Sequence, residues 1–197
     1  DGAVGARMLA GGLVGLNWGD VAQCRSASAV SGTLFVGGLV GWSPMGSGIT
    51  HCYSKGSVAG SAWVGGLVGD NGGSITTSYS SASVNGEYAV GGLAGIGGAT
   101  GISLSFWDVE TSGQVASAGG TGKTTAEMQT AETFLDAGWD FAGETVNGPN
   151  DVWKIAEGLD YPRLWWEPYD GRVTVVLGQV FTVTLDSNPS TGYRWEC

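Results

Sequence analysis

The chain has 197 residues, enough for one or two domains with a sizeable core. Its 37 glycines and 13% charged residues stand beside 42% hydrophobic residues, including 9 Trp, 6 Tyr and 5 Phe; that apolar surface is enough to offset chain entropy and excludes a disordered chain. The net charge is −10, and no basic stripe supplies the cationic footprint that nucleic acid or an anionic lipid surface requires.

The charge is uneven. Residues 1–105 hold four acids and three bases, residues 106–170 twelve and three, and residues 171–197 two and two. Helix formers such as Leu, Glu, Lys and Arg are sparse, whereas Val, Thr, Ser, Gly and aromatic residues abound, which points to an all-β fold. The longest apolar or Gly run, LFVGGLVGW, is half the ~18 residues that a spanning helix needs, so no membrane span is expected. Three cysteines, Cys24, Cys52 and Cys197, make no disulfide framework of the small secreted kind. The sequence begins inside one motif and ends inside another, and so reads as a fragment.

The pentapeptide GGLVG occurs at 11–15, at Gly37-Gly38-Leu39-Val40-Gly41 and at Gly65-Gly66-Leu67-Val68-Gly69, with GGLAG at 91–95. The starts differ by 26, 28 and 26 residues, a spacing typical of solenoids and arrays. The intervening segments align as well. Val21, Ile49, Ile75 and Ile102 share one column, Arg25, Tyr53, Tyr79 and Phe106 another, and Val30, Val58 and Val84 a third. In SITTSYS, the alternation of Ile75, Thr77 and Tyr79 has the two-residue period of a strand. A unit this small cannot bury its own apolar face, so stacking of successive copies at about 4.8 Å is expected, with glycines at the corners. This predicts a parallel β-solenoid of four repeats of 26–28 residues over residues 1–113.

The recurring cassette, V-G-G-L-V-G then I-x-x-x-Y-S-x-x-x-V-x-G, resembles the GLUG repeat of bacterial surface and secreted proteins over about residues 4–113. It departs at Arg25, which replaces the aromatic, and at Trp107-Asp108, which suggests the end of the array. The resemblance implies a non-enzymatic, extracellular or cell-surface scaffold with an adhesin-like role, facing a protein or glycan surface, and brings no catalytic residue with it.

Residues 114–169 read as an acidic, Trp-rich cap: a loop, one short helix begun by Thr124 or Thr125, and then a proline-punctuated aromatic run. Trp139, Phe141, Trp153, Tyr161, Leu164, Trp165 and Trp166 are expected to close the open end of the solenoid. Runs like these commonly follow GLUG arrays, which the resemblance takes as a terminal cap. An aromatic sugar-binding platform is the alternative. AGGTGKTT imitates a phosphate loop, but Ser117 stands where that motif needs Gly and no hydrophobic strand precedes it, so it reads as a loop.

Residues 170–197 change character. Val173, Val175 and Leu177, then Phe181, Val183 and Leu185, alternate as two strands. The loop Asn188-Pro189-Ser190-Thr191-Gly192-Tyr193 resembles that of chagasin-like inhibitors of papain-type cysteine peptidases, whose immunoglobulin-like fold would here be incomplete. The resemblance implies a peptidase-contacting loop and a papain-type peptidase as partner. Incomplete strands also allow self-association into fibres through an open edge.

The chemistry-bearing residues are few. His51 and Cys52 are adjacent, so on a strand they face opposite ways and make no nucleophilic pair. Cys24 and Cys52 share a column and form either a free thiol ladder or a cross-coil disulfide. Two Cys and one His lack a fourth zinc ligand, and no oxygen-ligand calcium loop is present, so neither cofactor nor metal is expected. Asp108 and Glu110 would share a strand face, the pairing a glycosidase uses, but acids are common throughout that region.

Overall fold

The computed structural model describes residues 2–98 and 101–168. By its contacts the chain divides into Asp1–Glu167 and Pro168–Cys197, and the solenoid lies in the first unit. The inhibitor-like strands and the loop Asn188–Tyr193 fall outside the described residues.

Four coils wind into a parallel β-solenoid with four sheets. The first sheet stacks β1 (Ala3–Gly11) on β5 (Ala29–Gly37). In the third and fourth coils the same arm is split, as β9 (Ser57–Ala59) with β10 (Ala62–Gly65), and β14 (Ser83–Asn85) with β15 (Tyr88–Gly91). The second sheet joins β2 (Val14–Leu16), β6 (Val40–Ser43), β11 (Val68–Asn71) and β16 (Ala94–Gly97). The third joins β3 (Asp20–Ala22), β7 (Gly48–Thr50), β12 (Ser74–Thr76) and β17 (Ile102–Ser103). In the fourth, β4 (Arg25–Ser26), β8 (Tyr53–Ser54), β13 (Tyr79–Ser80) and β18 (Phe106–Asp108) are followed by β19 (Thr121–Lys123). All of these pair in parallel, and the three sequence columns are columns of paired residues: Val21–Ile49–Ile75–Ile102, Arg25–Tyr53–Tyr79–Phe106 and Val30–Val58–Val84.

The GGLVG cassettes form the corner between the first and second sheets. Leu39, Leu67 and Leu93 are buried at these corners and their amides link coil to coil, Leu39 N–H to Leu67 O at 2.9 Å and Leu67 N–H to Leu93 O at 2.8 Å. The second glycine is required by space. A Cβ on Gly38 would lie 2.1 Å from Gly66 O and 2.9 Å from Ser54 Cβ, and one on Gly66 would lie 2.1 Å from Gly92 O and 2.3 Å from Ser80 Oγ. In the last coil Trp107 pairs with Ser80 and stands where the earlier coils have serine. Its Cδ1 would be 1.9 Å from a Cβ on Gly92, so the indole fills the solenoid interior where no further cassette follows.

The interior core comprises the isoleucine and leucine columns with Val40, Val68, Cys52 and Trp107. A second, smaller core of Val30, Val36, Val58, Val64 and Val84 lies within the bent first arm. Its bend is set by glycine: a Cβ on Gly60 would meet the Val36 and Val64 methyls at 2.8 and 3.0 Å.

The tyrosine column faces away from that interior. Tyr53, Tyr79 and Phe106 form a third core with Met128, Phe134, Trp139, Phe141, Val152, Trp153 and Leu164. The aromatic segment is therefore a strap along the flank of the fourth sheet. The end of the array is covered instead by residues 114–118, where Gly92 N–H donates to Ala116 O and the Leu93 and Ala94 amides donate to Ser117 Oγ. This differs from the end-closing role expected of the aromatics. A period of two shows that Tyr79 and Ile75 share a strand pattern, but a corner between them turns their side chains to opposite sides.

α-Helix is confined to three short pieces among the described residues, α1 (Val109–Ser112), α2 (Thr125–Met128) and α3 (Ala131–Leu135), so the fold is all-β in class. Thr124 caps α2 in a capping box with Glu127. Beyond α3, β20 (Trp153–Lys154) pairs antiparallel with β21 (Arg163–Leu164).

The strap runs from the fourth coil back to the first. Trp139 Nε1–H donates to Leu104 O at 2.9 Å, Tyr79 Oη to Pro162 O at 2.6 Å, and Tyr53 Oη to Glu167 at 2.8 Å. At the first coil Arg25 Nε pairs with Glu167 Oε2 at 2.7 Å. Arg25, the departure from the aromatic column, is thus where the end of the strap meets the first coil.

Candidate binding surface on the solenoid flank

The first arm carries a repeated backbone kink two residues before each GGLVG corner. Leu9, Phe35, Trp63 and Ala89 all have positive φ, at 59°, 58°, 55° and 50°. Left-handed geometry is uncommon for non-glycine residues, and its return in every coil marks a position held by the surrounding stack. Each lies between paired residues of the first arm, as Phe35 does between Leu34 and Val36. At the kink Phe35 and Trp63 drop out of the paired ladder and remain half-exposed, while the neighbouring Val36 and Val64 are buried.

Beside this column runs the outer face of the second sheet, where Leu16, Trp42, Asp70 and Ile96 pair in register. The two columns meet. The Phe35 and Trp63 rings stack with centroids 4.6 Å apart and 23° between planes, and Phe35 stacks on Trp42 at 5.9 Å. Trp18, 70% exposed, tilts against Trp42 at 6.3 Å. Four large rings thus gather on one outer flank across three coils, an aromatic patch of the kind that marks interaction surfaces. Within it Asp70 is half-buried, its carboxylate makes no hydrogen bond or ion pair among the described residues, and its pKa is raised by burial. Next to this flank, Asp20, Ser47, Ser74 and neighbouring glycines line a shallow depression of about 350 Å³.

The sequence-derived candidates have other roles. Gly37–Gly41 and Gly65–Gly69 are corners with no ligand-facing side chain, Leu39, Val40, Leu67 and Val68 being fully buried. Cys24 and Cys52 occupy facing positions of consecutive coils as unlinked thiols, with the Cys24 amide 3.4 Å from Cys52 Sγ. Burial pushes the Cys52 thiol up to about 12. His51 turns the other way, its ring edge-on to Trp153 at 6.5 Å, and burial lowers its pKa against the opposing charge of Asp140.

Asp108 and Glu110 do not share a strand face. Asp108 caps α1, accepting from the Glu110 and Thr111 amides at 2.8 and 3.0 Å, and also accepts from Thr125 Oγ1 and Tyr161 Oη. Glu110 lies on α1 and accepts from the Thr125 amide at 2.8 Å. In the phosphate-loop look-alike, Thr121–Lys123 is a strand and Lys123 pairs with Glu127 at 3.2 Å. The buried strap aromatics Trp139 and Trp153 are core, not a platform, whereas Trp165 and Trp166 are exposed.

The aromatic flank was not legible from the repeat. Its rings occupy a kinked column and a sheet column that also hold Leu9, Ala89, Leu16 and Ile96, so no column is uniformly aromatic. The usable signal was four aromatics within residues 18–63 at positions the cassette leaves unassigned.

No family model matches the chain. Over 62 residues it is 40% identical to a protein of Evansella cellulosilytica named "Putative Gly-rich membrane protein", a match covering 32% of this chain and 6% of that protein. A crystal structure titled as that of a "putative immunoglobulin A1 protease" from Bacteroides ovatus superposes with a TM-score of 0.57 at 21% identity, covering 84% of this chain and 56% of that one. The latter likeness is one of fold. The chain thus spans a small part of the first protein and about half of the second. No helix among the described residues is long and apolar enough to cross a membrane.

Proposed function

We propose that the chain is a non-enzymatic, extracellular scaffold segment of a larger bacterial surface or secreted protein, built from GLUG-type repeats and adhesive along its aromatic flank. The observation that carries this reading is the stacked ladder itself: four coils paired in register and strapped from the last coil back to the first, displaying four rings outward. The recurring cassette supports the repeat assignment. The name of the Gly-rich relative agrees with a surface location. The carboxylates that would suggest hydrolysis, Asp108 and Glu110, cap and tie helices, which suits a support better than a catalyst.

Incubation with immunoglobulin A1 tests this reading against an enzymatic one. The heavy chain is expected to remain intact. Cleavage by the purified chain, lost on Asp108→Asn or Glu110→Gln, would overturn it.

A further inference from the structure

The stack of rings ends abruptly. Phe35 covers one face of the Trp63 indole, and the next position of the column is Ala89, whose methyl leaves the other face without a ring above it. Two side chains of the second-sheet column border the ring column on one side, in consecutive coils. Gly69 packs its backbone against Phe35, a Cβ there falling 2.7 Å from the Phe35 carbonyl carbon, and this sets the following Asp70 beside the ring column. Gly95 packs likewise on Trp63, at 2.8 Å from its carbonyl carbon, and sets Ile96, 41% exposed, one coil further along the same side, paired with Asp70. The result is an aromatic surface bordered on one side by a carboxylate and an aliphatic chain, and continuous with the Phe35, Trp42 and Trp18 rings.

Asp70 lacks a partner in this setting. Its carboxyl is partly desolvated, and among the described residues no cation or donor answers it. A carboxylate held this way on a chain of net charge −10 complements a cation. The cation must also suit an indole face. A guanidinium does both: it is planar, stacks on aromatic rings, and presents a fork of N–H donors to a carboxylate. A tryptophan–arginine contact surrounded by apolar rings is also the usual composition of an interface hot spot.

We propose that Trp63 and Asp70 form the docking point for an arginine presented by a protein partner, the guanidinium lying on the open indole face with its fork toward the carboxylate. This names the partner chemistry of the flank's adhesive role and rests on that reading. The surrounding rings exclude water from the contact, and Ile96 covers the aliphatic stem of the incoming side chain.

The test is titration of the full chain with a Gly-Arg-Gly-Arg-Gly peptide, following the Trp63 indole N–H by NMR. Saturable shifts at Trp63 are expected, weakened about tenfold by Trp63→Leu or Asp70→Asn in a parallel fluorescence titration, and unchanged by Asp20→Asn. The citrulline counterpart, of the same shape without charge, should leave the resonance unmoved. An equal loss in Asp20→Asn would reduce the effect to general acidity, and no saturable shift would remove the site. A shift with cellohexaose but none with the arginine peptide would hand the face to a glycan. Each of these outcomes overturns the arginine assignment while leaving the immunoglobulin assay, and so the scaffold reading, to be judged separately.

Discussion

Glu167 holds the strap closed, and its removal offers a quantitative test of the latch. Its side chain is buried and accepts from Tyr53 Oη at 2.8 and 2.9 Å and from the Leu164 amide at 2.9 Å, besides pairing with Arg25. The charge-assisted bond from Tyr53 is worth about 1.5–3 kcal/mol, and the buried Leu164 N–H left without a partner costs about 1–3 kcal/mol. The Arg25 pair adds under about 1 kcal/mol, because the Arg25 side chain is 34% exposed and water screens it. These contacts form one network and do not simply add. Glu167→Ala is therefore expected to cost about 3–4 kcal/mol, and Glu167→Gln, which keeps an acceptor but loses the charge, about half that. Urea unfolding read by fluorescence, which senses the buried Trp139 and Trp153, should show the strap transition moving to lower urea, with the solenoid's circular dichroism following later. A double-mutant cycle of Glu167→Gln with Tyr53→Phe should show coupling above about 0.5 kcal/mol. A Glu167→Ala midpoint unchanged from the parent, or additive single effects, would refute the latch.

Gly66→Ala places a methyl 2.1 Å from Gly92 O in the next coil, and should destabilise the solenoid by about 2–3 kcal/mol in the same urea assay; the same change at Gly138, with nothing near its Cβ, has only its positive φ of 81° to oppose it and should cost less. With its pKa at about 12 and its side chain buried, Cys52 should resist iodoacetamide at pH 8 until urea unfolds the chain, as read by peptide mass spectrometry; Cys24, half-buried, should label first. Burial lowers the folded pKa of His51 below its unfolded 6.5, so the unfolded chain binds the proton more readily and stability is greatest above that value. Acidification from pH 7.5 to 5.5 should lower the urea midpoint, and His51→Gln should flatten that dependence; an unchanged slope would show that His51 is not its source.

The solenoid was legible because its physics repeats. A corner glycine meets the same carbonyl in each coil, and a buried leucine meets the same leucine, so selection for packing writes the same letters at 26- or 28-residue intervals. The direction each column faces was not legible. Tyr53 and Tyr79 read as core and are core, but of a compartment completed by residues from 128 to 164, and only the strap reveals which side of the fourth sheet it covers. Left-handed Gln23, His51, Thr77 and Leu104 mark the corner that separates the two compartments, at φ of 47–52°, and none of them is a glycine that would have announced a turn. Asp108 misled for a similar reason: a carboxylate two positions from another looks paired on a strand, whereas here the strand ends and the side chain caps α1.

The residues that break the repeat do the work that a repeat cannot. A perfect array has identical coils, hence no way to end, no place for a strap to anchor and no site different from its copies. Trp107 in place of serine fills the interior of the last coil. Arg25 in place of an aromatic gives the first coil a charge for Glu167 to meet. Asp70 breaks a column that is otherwise Leu16, Trp42 and Ile96, and it alone of these three departures gains no partner within the described residues. A desolvated carboxylate is destabilising unless something compensates it. Since burial raises the folded pKa of Asp70, the cost is present above that pKa and absent below the unfolded value of 3.8. At neutral pH, then, the solenoid carries an unfavourable group on the flank where its rings are displayed, which is the pattern of a residue kept for what it binds and not for the stability of the coil.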